Sequence, residues 1–327
     1  MPDRRLLTSL TLARATLDRG AERRDDSEWL AQRWLDESSR VLILRGGSAR
    51  VIESGSEGAI DLVLVAPSEV TDDGVRLLLG IDDDGVAYLG VLAHSVEGAD
   101  DSAGAASSTP DLAGIDRWVG LRDVGSELGD RDAGLFVAAA ALANWHRTHP
   151  RCPRCGVPTE ATQGGWSRTC PADSSQHFPR SDPAIIVLVT DSADRALLGR
   201  RVDWAPGWFS TLAGFVEAGE SAEMTVSREM AEEAGITIDP DTLDYLGSQP
   251  WPFPASLMLG YRVRIAADSP VAVGDGSEIA EVRWFTRDEL AAGCASGDIR
   301  IPPPISIARR LIEHWYGAAL PGAWSRD

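Results

Sequence analysis

Hydrophobic and polar positions along the chain fall into two textures that change near Pro179. Upstream, within residues 1–125, the short β-type runs VLILRGG, DLVLVAP and VAYLGVLA alternate with polar turns and predict strands. The stretch Glu97–Gly114 is small, polar and acidic, and reads as a surface loop or insertion. From Asp132 to His146, DAGLFVAAAALANWH is an Ala-rich helix signal that feeds directly into HPRCPRCG. Downstream, AIIVLVT (Ala184–Thr190) is a continuous apolar run bounded by turns, as a buried strand would be, and RALLGRR reads as its hairpin partner. Further strands are expected around WFSTLAG, LDYLGSQ, LMLGYRVRIA and VRWFT. One helix starts with Ser221 as N-cap, runs through Met224, Val226, Met230 and Ala231, and stops at Gly235. Another begins at TRDE, where Thr286 and Glu289 have capping-box spacing. No internal repeat is present. The pattern predicts an α+β N-terminal domain over 1–130, a connecting helix over 131–150, a cysteine-bearing segment over 151–181 and a C-terminal α/β/α domain over 182–327.

Composition changes that picture little. With 327 residues the chain can form two domains, and 43% hydrophobic with 25% charged residues is ordinary for a globular protein. Charge changes it more. A net charge of −19 repels nucleic acid and anionic membrane as a whole, so a polyanionic ligand must be held by a local basic spot or by metal ions. No apolar stretch reaches the roughly 18 residues of a membrane span. The N-terminus MPDRRLLTSLTLARATLDRG lacks an apolar core and an A-x-A site, and is read as no secretory signal. Three of the four cysteines fall between Cys152 and Cys170, a usage that suits a reducing cytoplasm and metal binding more than a disulfide framework.

The chemistry concentrates in GFVEAGESAEMTVSREMAEEAGI, from Gly214 to Ile236. Glu229, Glu232 and Glu233 share one helical face, where like charges repel and call for a neutralising partner. Arg228 reaches Glu232 at i+4 but cannot neutralise all three. Clustered hard oxygen ligands suit Mg²⁺ or Mn²⁺. Gly214 and Gly219 would let the preceding loop turn tightly and approach phosphate or metal. An isolated helix of this kind reads as a solvated acidic face. A longer pattern argues otherwise. Gly214, Glu220, Arg228, Glu229, Met230, Glu232, Glu233, Gly235 and Ile236 fill G-x5-E-x7-R-E-U-x-E-E-x-G-U without a departure, U being apolar. Chance produces such a match on the order of once in a hundred million to a billion windows.

That pattern is the Nudix box, and the segment is identified as a member of the Nudix hydrolases on it. The resemblance implies a loop–helix–loop holding more than one divalent metal ion, and water attack on a phosphorus of a nucleoside diphosphate derivative. It implies Glu229 and Glu233 as metal ligands with Glu232 in the same cluster, Arg228 as the orienting ion-pair partner, Glu220 as a supporting carboxylate and the Ala213 carbonyl as a further ligand. Which carboxylate is the general base is left open.

Downstream, SQPWPFPASLM (Ser248–Met258) cannot form a helix because of its prolines, and reads as a rigid extended segment displaying Trp251 and Phe253 as flat apolar surfaces. The array S-Q-P-W-P-F-P-x-S soon after a Nudix box resembles the signature of the NADH pyrophosphatase branch, also described as NAD-capped RNA hydrolases. By that resemblance Gln249, Pro250, Trp251, Pro252, Phe253, Pro254, Ala255 and Ser256 line the dinucleotide pocket. Glu278 in GSEIAEVRWF matches an additional metal-binding glutamate, and Ala308 in PPPISIARRLIEHW a backbone contact to metal or substrate. Phe178 occupies an aromatic position that meets substrate, and Arg122 in GLRDV a basic contact; an isolated loop Arg is otherwise a solvated charge.

C-P-R-C at Cys152–Cys155 with Cys170 is half a zinc ribbon and the start of the other half. Many relatives of the branch have a fourth cysteine where this chain has Asp173. Structural zinc is expected, completed by Asp173 or His177; the alternative is a loop that has lost its metal and persists through packing. Trp166 is expected to support the segment, and Cys294 to be a small buried residue. The fold expected is therefore an α+β N-terminal domain, a short zinc-ribbon-like segment, and a C-terminal Nudix α/β/α sandwich with a mixed sheet. The leading functional expectation is a cytoplasmic enzyme, homodimeric by resemblance and without membrane contact, that hydrolyses NADH or NAD to the nicotinamide mononucleotide and AMP. The same chemistry on NAD-capped RNA 5′ ends is the second. Action on ADP-ribose or another nucleoside diphosphate derivative, and a non-catalytic NAD or ADP-ribose sensor, are the alternatives; a full set of Glu229, Glu232 and Glu233 speaks against the sensor.

Overall fold

A computed structural model describes residues 6–7, 10–54, 59–94, 117–265 and 272–324. The acidic stretch Glu97–Gly114 and the first five residues lie outside the described residues. The chain divides into two compact units: residues 14–181 with 252–255, and residues 1–13, 182–251 and 256–326.

The first unit opens with helix α1 (Ser27–Arg33), whose N-cap Asp26 accepts a hydrogen bond from the Trp29 amide. Strands β1 (Arg40–Arg45), β2 (Ser48–Ser54), β3 (Ala59–Leu62), β4 (Leu64–Val65), β5 (Val75–Ile81), β6 (Ala87–Leu92) and β7 (Arg117–Gly120) follow. They form a mixed sheet in the order β3-β2-β1-β6-β5, with β4 on β1 and β7 on β2. Only β1 and β6 run parallel among these described strands. Val41, Leu78, Leu89 and Val91 pack with Trp29, Leu30 and Trp34. The expected strand DLVLVAP is split at Val63 into β3 and β4, and the sheet also contains β2, β5 and β7, beyond the runs that the pattern predicts. Helix α2 (Leu121–Val124) leads into α3 (Asp130–Thr148), which packs on β5 and β1. Its alanines are buried rather than exposed, because Ala lets the helix approach the sheet closely. Strands β8 (Glu160–Thr162), β9 (Ser167–Thr169) and β10 (Gln176–His177) form a small antiparallel sheet. Trp166 fastens this segment, donating from Nε1 to the Leu78 carbonyl (2.7 Å) beneath the Arg24 guanidinium (3.9 Å).

In the second unit, β11 (Asp182–Thr190), β12 (Ala196–Arg201), β13 (Leu212–Phe215), β14 (Asp244–Trp251), β15 (Ser256–Arg264) and β16 (Ile279–Phe285) build a mixed sheet, β14-β15-β11-β12-β16, with β13 on β11. β11 and β15 are parallel. The run AIIVLVT is apolar at every position because both faces are covered. Ile185, Val187 and Val189 meet Val226, Met230 and Ala234 of helix α4 (Ala222–Ala234). Ile186 and Leu188 meet Leu290 and Cys294 of α5 (Arg287–Ser296) and Ile307, Leu311 and Trp315 of α6 (Ile307–Tyr316). Each such side chain contributes about 1.5–3 kcal/mol through burial. The result is the α/β/α sandwich that the pattern predicts. Leu10, from the start of the chain, belongs to this core. Among the described residues, no helix is long and apolar enough to cross a membrane.

Candidate active site

Helix α4 begins at Ser221, whose Oγ accepts from the Met224 amide (3.2 Å), and ends at Gly235 in the left-handed conformation (φ 66°). This fixed register sends Val226 and Met230 into the core and turns Glu229 and Glu233 toward β13 and β16. Gly214 lies in β13, paired with Ile185, and not in a turn; a Cβ there would sit 2.0 Å from the Glu229 carboxylate. Its requirement is therefore clearance for Glu229. Gly219 does make the expected turn, at φ 94°.

Arg228 organises the cluster. Its Nε and Nη2 donate to the two oxygens of Glu220 (2.8 and 2.9 Å), Nη1 to Glu229 (2.8 Å) and Glu232 (3.0 Å), and Nη2 also to the Phe215 carbonyl (3.0 Å). All five donors of the fork are engaged, so none is left for a phosphate. Glu220 accepts further from the Glu217 amide and the Thr225 hydroxyl. These contacts, Arg228 first, hold the Glu220 carboxyl down at about 2.

Glu233 is the exception. It is 5% exposed, and its Oε2 has no hydrogen-bond partner. Burial, then the charges of Glu229, Glu278 and Asp275, push its carboxyl up to about 8 against the opposing pull of Arg201. Burial raises Glu229 as well, with Arg228 opposing. Glu278 sits in this field, tied to Arg201 at 2.5 Å. A desolvated carboxylate oxygen facing two further carboxylates is stable only if protonated or beside a cation. The donor set, all hard oxygen, fits a divalent ion of the Mg²⁺ class.

The expected extended segment holds for Ser248–Trp251, Pro250 included, and for Ser256–Met258, but Pro252–Ala255 turn back on themselves. β14 and β15 are a hairpin closed by the pair Trp251 and Ser256, with Pro250 opposite Leu257, and Pro252–Ala255 form its turn. Phe253 lies under the exposed Arg122, guanidinium to ring centroid 3.9 Å, so two expected substrate residues meet. Pro254 is exposed, and so is Phe178, at 60%. Gln249 is fully buried; its amide donates to the Ile305 carbonyl (3.0 Å) and accepts from Leu12 (3.3 Å). Its side chain joins three chain segments, both polar ends being used in the core. Ala308 lies in α6, on the sheet face opposite α4, and its amide is capped by Ser306. Ala213, in contrast, directly precedes Gly214 in β13.

The cysteines form two matching knuckles. Cys152 N–H bonds Val157 and Gly156 N–H bonds Cys152; Cys170 N–H bonds Ser175 and Ser174 N–H bonds Cys170. Gly156 (φ 76°) and Ser174 (φ 58°) take the same left-handed place. In this correspondence Asp173 stands where Cys155 stands. Cys155 and Cys170 Sγ are 3.5 Å apart, and Cys152 Sγ is 4.0 Å from Asp173 Oδ2, with all four ligand atoms within 4.8 Å of one another. Zn–S bonds near 2.3 Å require tetrahedral edges of about 3.8 Å, which these match. His177 Nε2 meets the Ser175 hydroxyl (3.2 Å) and also acts on the Cys152 thiol. Burial pushes the Cys170 thiol up to about 11; for Cys152 burial is outweighed by hydrogen bonds from Ser175, Arg154, Cys155 and His177, which bring it to about 6.

Residues 180–302 match the NUDIX domain and 147–178 the NADH pyrophosphatase zinc ribbon domain. The NAD-capped RNA hydrolase NudC of Mycobacterium tuberculosis is 40% identical over 319 residues, covering 93% of this chain and 94% of that protein. The chain belongs to the NADH pyrophosphatase family of Nudix hydrolases. A second member, NAD-capped RNA hydrolase NudC of Stutzerimonas stutzeri, is 43% identical over 60% of this chain and 67% of its own. NAD-capped RNA hydrolase NUDT12 of Macaca fascicularis is 36% identical over 58% of this chain and 43% of its own. Within this Nudix hydrolase, sequence reasoning missed Thr225, which braces Glu220, and Arg201, which braces Glu278. Thr225 was findable, being a polar residue one turn beyond Glu220 on the buried side of the box. Arg201 was not, because its partner lies 77 positions away.

Proposed function

We propose that this chain hydrolyses the pyrophosphate bond of NADH or NAD, giving the nicotinamide mononucleotide and AMP, and cuts the same linkage at the 5′ end of NAD-capped RNA. The observation that carries the chemistry is the unpartnered, buried Oε2 of Glu233 beside Glu229. The long match to the mycobacterial NudC supports the substrate class. Glu229 and Glu233, with Glu232, Glu278 and the Ala213 carbonyl, hold Mg²⁺ or Mn²⁺, more than one ion. When bound, these ions neutralise the diphosphate and lower the pKa of the attacking water. The protein's own part is orientation: Glu220 fixes Arg228, and Arg228 holds one oxygen each of Glu229 and Glu232, leaving the other oxygen of each for the ions. Arg122, Phe253 and Trp251 supply a cation and aromatic faces for the dinucleotide. The two knuckles hold a structural Zn²⁺ through Cys152, Cys155, Cys170 and Asp173. A cytoplasmic homodimer is the setting this reading expects, and none of the four cysteines is in a disulfide.

Turnover of NADH, NAD, ADP-ribose and NAD-capped RNA, each with Mg²⁺ and Mn²⁺, tests the reading beside Glu233→Gln. The variant is expected to lose more than about 100-fold in kcat/KM, beyond the usual cost of an outer ligand partner. Full activity of Glu233→Gln removes the metal assignment, and a strong preference for ADP-ribose removes the substrate class.

A further inference from the structure

We propose that Asn144 is a positioning residue for the dinucleotide-binding turn, holding Phe253 in place through the backbone on either side of it. The inference rests on the reading of Pro252–Ala255 as a substrate contact and adds a residue from a helix far away in sequence.

Prolines at 252 and 254 remove two of the turn's four backbone donors, leaving only Phe253 and Ala255 with an N–H. Beyond the closing pair Trp251 and Ser256, the turn has only these two N–H groups with which to satisfy its own carbonyls. The donors come from outside. The Asn144 side-chain amide donates to the Pro252 carbonyl at 2.8 Å and to the Pro254 carbonyl at 3.2 Å, using one NH₂ for both. Those carbonyls flank Phe253, whose ring lies 3.9 Å from the Arg122 guanidinium. Asn144 is carried by α3, a helix of 19 residues with much of its length buried, so the anchor is rigid.

The local sequence points the same way. Asn144 ends the run AAAALAN, where alanine is the better helix former and asparagine is disfavoured. A residue that breaks local propensity without gain to its own element is expected to serve something outside it. Here that is the pair of carbonyls around Phe253.

The test uses the full chain with its metals, comparing Asn144→Asp, Asn144→Ala and Phe253→Ala. Asn144→Asp keeps the shape and removes the donors. Both Asn144 variants are expected to raise the KM for NADH about tenfold, with kcat within about twofold and Tm within a few degrees, since a positioning hydrogen bond acts on binding. Unchanged KM in Asn144→Asp, with KM raised in Phe253→Ala, overturns the role of Asn144 and leaves the turn reading standing. Unchanged KM in Phe253→Ala removes the substrate reading of the turn, and the proposal with it. A parallel loss of kcat and Tm in Asn144→Asp makes the contact merely structural and overturns the proposal too.

Discussion

His146 shows how one buried group couples the fold to pH. Its Nδ1 meets Nη1 of Arg168 (2.8 Å) and its Nε2 meets the Gly165 carbonyl (2.9 Å). A guanidinium can only donate, so Nδ1 accepts and Nε2 carries the hydrogen; the ring is neutral. Burial, with the Arg168 charge adding to it, lowers the pKa to about 4 from 6.5. Between those values the unfolded chain binds a proton that the folded chain refuses. Stability should therefore be level above about pH 6.5 and fall toward pH 4, by up to about 3 kcal/mol. Thermal melts from pH 7 to 4 check this: His146→Leu should flatten the slope, and an unchanged slope assigns the loss elsewhere. The same scale explains Glu233. Nothing in E-E distinguishes it from Glu232, yet Glu232 is exposed and held by Arg228 while Glu233 is buried with an unpartnered oxygen. Burial is a property of neighbours far away in the chain, so spacing alone could not separate them.

At the scale of elements, the two knuckles repeat one backbone design, and the repeat places Asp173 beside the three cysteines. From residue types alone His177 was the chemically better candidate. The second loop, however, carries the same pair of hydrogen bonds as the first, which puts Asp173 at the ligand position. Asp173→Ala should lose zinc to a chelator faster than the parent, Asp173→Cys should retain it longer, and His177→Ala should match the parent. Zinc content after timed exposure to the chelator measures all three, and loss in His177→Ala alone would reverse the assignment. Other elements were readable locally. Ser221 and Gly235 bound α4, and the Thr286–Glu289 capping box starts α5, because caps are made by residues three or four apart. The amphipathic α6 also obeys that logic, although it was matched only as a motif. Strand β13 is shorter than WFSTLAG suggests, since only Leu212–Phe215 finds a continuous partner, in β11.

For the whole molecule, a net charge of −19 bears on the RNA part of the proposal. Recognition must be local, through metal-held phosphates and the cap, because the wider surface repels a polyanion. Raising KCl from about 50 to about 200 mM should leave kcat/KM for NAD-capped RNA level or higher, as screening relieves that repulsion. A protein gripping several phosphates with basic side chains would lose about 10³-fold or more over that range. Such a fall here would reveal a basic RNA track and end the cap-only picture. The sequence by itself determined that Glu229, Glu232 and Glu233 share a face, that Gly214–Ile236 is a hydrolytic box, and that β11 is buried. These depend on spacing along one helix or strand. Tertiary structure alone decided that Gln249 belongs to the core, that Ala308 faces away from α4, that Asp173 joins the cysteines, and that Asn144 holds the turn around Phe253. Each depends on which distant segment removes water or supplies a partner, and packing settles that.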